Sequence, residues 1–106
     1  MNSGILPFGR REWLEAVCRD PGISALQFRV AYALSGMISA EGRLRARLIE
    51  IAARSGTTGP SVRGALFRLA ERGFLVIRLE KQQVAITVPK SIPRRTPEPV
   101  ERDSAA

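Results

Sequence analysis

Between Thr57 and Arg72 the sequence reads TTGPSVRGALFRLAER, placing two threonine hydroxyls, a serine and three arginines within a few helical turns. Arg43, Arg45 and Arg47 alternate just before it, and Arg78 and Lys81 follow just after. A guanidinium is a planar fork of fixed donors that matches carboxylate, phosphate or a guanine edge, and hydroxyls near a helix start add short polar contacts. This set of groups binds anions; it does not make or break bonds. From Arg43 to Lys81 nine basic residues face three acidic ones, which accounts for six of the seven units of net positive charge. The segment from Met1 to Gly42 is balanced, and the remainder carries one unit. A localised basic surface points to a polyanion, nucleic acid first and an anionic membrane second, with a plainly solubilising face as the alternative.

Catalytic constellations are hard to assemble from this composition. The chain has no histidine and a single cysteine, Cys18. That rules out Ser-His-Asp and Cys-His arrangements, and the usual structural zinc ligand sets cannot be built. SGTTGPS lacks the lysine of a phosphate-binding loop. The chain is therefore expected not to be an enzyme and to need no cofactor, metal or small-molecule substrate. One cysteine allows no internal disulfide, so an intracellular, cytoplasmic location is expected. No apolar run approaches the ~20 residues of a membrane span, and no signal peptide is evident. Cys18 is expected to be a small buried hydrophobe.

The elements that must hold the arginines follow from periodicity. With 106 residues the chain suits one domain. Its expected divisions are an N-terminal arm over 1–9, a folded body over 10–89 and a flexible proline-rich tail over 90–106. Arg10 to Arg19 forms a short helix with Trp13, Leu14 and Val17 on one face, and Trp13 is either a core anchor or a dimer contact. Pro21-Gly22 breaks it. Ser24 and Gln27 make a capping box for a longer helix. That helix turns Leu26, Val30, Ala33, Leu34 and Met37 inward, widened by Ala31 and Ile38, and should be the most buried element. Gly36 inside it implies close packing against a neighbour.

Glu41-Gly42 is a turn, and Arg43-Leu44-Arg45 alternates as a very short strand. A helix over about Ala46 to Ser55 turns Leu48, Ile49, Ile51 and Ala52 inward and ends at a left-handed Gly56. Thr58 caps the next helix, where Pro60 is tolerated because first-turn N–H groups lack helical partners. Val62, Ala65, Leu66, Leu69 and Ala70 form its buried face, and Gly73 closes it. Its outward set is Gly59, Pro60, Ser61, Arg63, Gly64 and Arg68, with Phe67 at the edge. Phe74–Leu79 and Val84–Val88 read as a hairpin. Leu75, Ile77 and Leu79 share one face of the first strand, and Val84, Ile86 and Val88 one face of the second.

Ile51-Ala52, Gly56, Thr58, Val62 and Leu66, followed by ERGFL at Glu71–Leu75, resemble the winged helix-turn-helix family of DNA-binding domains over roughly Ser24 to Val88. SVRGALFRLAERGFL looks somewhat like GntR-type regulators. The long apolar helix before it looks more like the corresponding domains of phage and plasmid regulators and replication proteins. The expected fold is thus mainly α with a small β-hairpin. Small residues at Ala52 and Gly56 let two helices meet steeply, so that the second protrudes into a major groove about 12 Å wide.

The resemblance implies a cytoplasmic, nucleoid-associated bacterial, phage or plasmid transcription regulator that binds double-stranded DNA, as a homodimer on two half-sites. Arg63 is the expected base reader. Thr57, Thr58 and Ser61 reach base or phosphate, and Arg68 and Arg72 clamp the backbone. Arg43, Arg45 and Arg47 grip flanking phosphates, and Arg78 and Lys81 act from the wing. Three alternatives stand beside this. One is a replication or partition accessory protein, and another is a protein-protein adaptor or antagonist, mildly favoured by the bare Gly59, Pro60 and Gly64. The third is RNA binding, weakened by the scarcity of aromatic residues.

Overall fold

The computed structural model describes residues 8–92. The expected arm up to residue 7 and the expected tail from residue 93 lie outside the described residues. The elements are α1 (Arg10–Arg19), α2 (Ala25–Ser35), β1 (Arg43–Ala46), α3 (Leu48–Ser55), α4 (Gly59–Glu71), β2 (Val76–Leu79) and β3 (Val84–Thr87). No helix among the described residues is long and apolar enough to cross a membrane.

α2 starts where its capping box predicts. The Gln27 N–H donates to Ser24 Oγ at 3.2 Å, and the Ser24 N–H donates to Gln27 Oε1 at 2.8 Å. The helix packs against α1, α3 and α4 and forms the centre of the helical layer. It ends earlier than expected. Gly36 is its C-cap in an ordinary right-handed conformation, and a Cβ there would meet only the Ala33 carbonyl at 3.7 Å. No close packing requires glycine at that position. Leu26, in the first turn of α2, is 39 % exposed rather than buried.

The β-structure is larger than the expected hairpin. β1 pairs antiparallel with β3, giving a three-stranded sheet in the order β1-β3-β2 and a mixed α/β architecture. A two-stranded ribbon is marginal alone, and β1 satisfies the edge of β3 that β2 leaves open. Ala46 belongs to this strand, in register with Val84, so α3 begins at Leu48 and not at Ala46. Leu44, Ile86 and Ile77 lie in one register row and pack toward the core. The opposite face carries the rows Arg45–Ala85–Arg78 and Arg43–Thr87–Val76.

The core joins helices to sheet through Trp13, Leu34, Ile51, Leu66, Phe74 and Ile86, all essentially inaccessible. The Trp13 indole N–H donates to the Phe74 carbonyl at 3.1 Å, and the Phe8 ring meets Trp13 edge-on with centroids 5.8 Å apart. Trp13 is therefore a core anchor; with no exposed surface it cannot be a dimer contact. Phe8 and Ile92 both pack against the core, so the packed body extends past both expected boundaries.

Three further expectations are corrected. Cys18 is exposed, because it follows the inward Val17 by one residue and so points off the buried stripe. Ile49 is 66 % exposed, since α3 turns Ile51, Ala52 and Ser55 inward and leaves position 49 outside. Leu79, on the edge strand β2, is 48 % exposed although its register neighbours Val84 and Ala46 are buried.

Candidate nucleic-acid interface

The junction of α3 and α4 forms as its residues dictate. Gly56 takes φ +68, which a side chain would resist, and the Thr57 N–H turns back to the Ala52 carbonyl at 3.1 Å. Thr58 caps α4: its hydroxyl accepts the Ser61 N–H at 3.3 Å and donates to Ser61 Oγ at 3.1 Å. At the start of α3 the Glu50 carboxylate accepts the Arg47 N–H at 3.0 Å. α4 then buries Val62, Ala65, Leu66 and Leu69.

Its opposite face is open. Arg63, Gly64 and Phe67 are exposed, and the Arg63 guanidinium carbon lies 5.6 Å from the Phe67 ring centroid. That stacking limits where the fork points. A Cβ built on Gly59 or Gly64 would meet nothing within 4 Å. The protein's own packing therefore does not demand glycine at either position. Glycine within a helix costs about 0.5–1 kcal/mol relative to alanine. At Gly64, inside α4, that cost is carried with no packing requirement to offset it.

A groove of about 470 Å³ runs between this helix face and the β2–β3 turn. Arg47, Ile49 and Arg63 line one side, with Leu79, Lys81 and Gln82 on the other. Three of the expected anion-binding residues, Arg47, Arg63 and Lys81, thus meet around one feature although they come from three separate elements. Thr57 and Ser61 are half-buried at the helix start, and Thr58 is exposed but engaged in its cap.

Arg43, Arg45 and Arg78 stand instead on the outer sheet face, with Arg45 and Arg78 flanking the small Ala85. Arg45 is paired with Glu80 at 3.1 Å. Hydrogen bonding from Arg45 holds the Glu80 carboxyl below its usual range despite partial desolvation. The Gln83 amide and the charge of Arg78 add to that effect.

Arg68 and Arg72, expected as backbone clamps, are engaged within the fold. Arg68 Nε donates to the Gly22 carbonyl at 3.0 Å, and its Nη1 reaches Glu71 at 3.0 Å. Arg72 grips Asp20 with Nη2–Oδ1 at 2.7 Å and Nε–Oδ2 at 3.0 Å, while Oδ1 also accepts the Gly22 N–H at 2.8 Å. The Asp20 side chain has no exposure at all. Its hydrogen bond pushes the Arg72 guanidinium higher than its ordinary value, so the base stays charged. Both arginines fasten the C-terminal half of α4 to the α1–α2 turn and so fix which way the open face looks. Asp20 carries no signal in the sequence beyond an Asx-type turn before Pro21-Gly22. Its partner lies 52 residues away.

Comparison with protein-family models, with curated proteins and with solved structures finds no match.

Proposed function

We propose that this chain is a winged helix-turn-helix protein that binds double-stranded DNA and regulates transcription. In this reading Thr58–Arg72 enters the major groove, and the β2–β3 wing lies on the flanking backbone. The observation that carries it is the open face of α4, left bare at Gly59 and Gly64 and bordered by Arg47, Arg63 and Lys81. Four helices with a three-stranded antiparallel sheet suit such a module. So does the tight α3–α4 turn. Phosphate contacts set register and Arg63 reads a base edge, supported by its ring partner. Pairing of two copies on half-sites belongs to the same proposal, through a surface that does not include the buried Trp13.

A second reading has its own observation. Ile49 and Leu79 expose apolar surface inside the same groove, which suits a protein partner with acidic and apolar side chains. Fold alone does not separate the two.

Salt does separate them. Each phosphate contact releases counterions, so the logarithm of affinity falls by about 0.9 per contact for each tenfold rise in salt. About four contacts predict a loss of roughly 150-fold in binding to random-sequence duplex between about 50 and 200 mM salt, read by mobility shift. A flat response, or no binding at the lower salt, would reject the duplex reading and favour the adaptor.

A further inference from the structure

Between Arg72 and Lys90 the sequence contains one acid, Glu80, set among Arg78, Lys81 and the cross-strand Arg45. It follows Leu79 directly, at the point where β2 leaves the sheet. Its backbone N–H closes the wing turn onto the Gln83 carbonyl at 2.8 Å. Oε1 accepts from Arg45 Nε at 3.3 Å and from the Gln83 amide at 3.1 Å, and Oε2 accepts from Arg45 Nη2 at 3.1 Å. Two oxygens of one planar anion therefore fill the two-donor fork of Arg45. A phosphate diester presents two non-bridging oxygens to such a fork in the same way.

The seat is not sealed. The Arg45 side chain is 61 % exposed and that of Glu80 24 %, so an incoming anion can approach Arg45 from solvent. The small Ala85 stands between Arg45 and Arg78 in the sheet register. Exposed ion pairs of this kind hold weakly.

We propose that Glu80 is a built-in competitor for phosphate: its carboxylate occupies the Arg45 fork in the free protein and must be displaced before the wing can grip a DNA backbone. This rests on the duplex reading and adds a restraint to it. Displaced, Glu80 sits as a like charge beside the phosphate, so the restraint persists in the complex. Its effect is to weaken attachment to DNA in general. Glu80 also lines the groove that Arg63 borders, but its carboxylate is bonded to Arg45 and Gln83 and not to Arg63, so discrimination then falls more heavily on α4.

Glu80→Gln keeps the size and the Gln83 contact while removing the charge. It is expected to tighten binding to random duplex about tenfold at low salt, through loss of both the competitor and the like-charge contact. Glu41→Gln, at the opposite end of the sheet, removes the same charge away from any arginine fork. It is expected to change affinity by no more than about twofold. Combining Glu80→Gln with Arg45→Gln should shrink the Glu80 effect well below tenfold, because no fork remains to be freed and only the like-charge part is left.

Thermal melting of each variant checks that the fold is kept. A Glu80→Gln gain no larger than that of Glu41→Gln, or one that persists undiminished without Arg45, would overturn the proposal while leaving duplex binding intact. If neither the native chain nor Glu80→Gln binds duplex at low salt, the duplex reading and this restraint fall together.

Discussion

Arg72→Met is expected to lower the melting temperature by about 10–20 °C, the shift a small domain shows when a buried carboxylate loses a bidentate guanidinium. Methionine preserves much of the aliphatic stem but cannot donate. Asp20 would keep the Gly22 N–H and lose both guanidinium bonds while its side chain stays out of water. The reverse substitution, Asp20→Asn, should cost less. The Arg72 side chain is 30 % exposed and can recover water, and asparagine still accepts from Gly22. Placing Asp20→Asn on top of Arg72→Met should restore part of the loss, since the buried carboxylate that lost two guanidinium bonds is gone. Thermal melts followed by circular dichroism measure all three. An Arg72→Met protein melting with the native one would show that this pair does not anchor α4. The effect belongs to packing first and function second: the pair ties the far end of α4 to the α1–α2 turn, and a loosened α4 would present its open face less rigidly.

Arg63→Ala is expected to reduce preference for a selected cognate duplex over random duplex by about 5- to 150-fold, the range of one bidentate base contact. Two features motivate this. Arg63 is exposed on the bare side of α4, and its guanidinium is held over Phe67, so less side-chain freedom is lost on contact. Arg78→Ala and Lys81→Ala should behave differently. They stand on the sheet and at the wing turn, and should weaken cognate and random duplexes alike, each lowering the salt slope by about 0.9. Competition titrations with both duplexes read the distinction. Equal losses on both duplexes from all three variants would remove Arg63 from base recognition. Phe67→Leu offers a supporting comparison, since it keeps the apolar bulk and removes the ring beneath the guanidinium.

Local signals carried much of this architecture. The caps of α2 and α4 at Ser24 and Thr58, the left-handed Gly56 and the inward stripe Val62–Ala65–Leu66–Leu69 depend on residues within a turn or two of each other, and these formed as read. What could not be read was long-range. The pairing of β1 with β3 needs Arg43 to find Thr87, and periodicity carries no information about which strand a short alternating segment joins. The Asp20–Arg72 pair is hidden in the same way. Two of three arginines on one helix look alike in sequence until an acid from another element claims one of them and a carbonyl claims another. Ile49 and Leu79 are expected inward because they are apolar. Hydrophobicity alone does not say where a neighbouring element ends, and both lie beyond the cover of the core.

The candidate site was legible as a set of residue types and less so as a place. Arg47, Arg63 and Lys81 do meet around one groove. Arg43, Arg45 and Arg78 form a separate basic face on the sheet, one member of it already held by Glu80. Arg68 and Arg72 belong to the scaffold.

Amide chemical-shift mapping of the isotope-labelled chain, titrated with random duplex at low salt, tests most directly whether the open side of α4 meets DNA. The expected result is that perturbations concentrate at the start and outward side of α4, from Thr57 through Phe67, and at the wing from Arg78 to Gln83, with α1 quiet. Shifts centred on α1 and the exposed side of α2, or none at saturating duplex, would contradict the account.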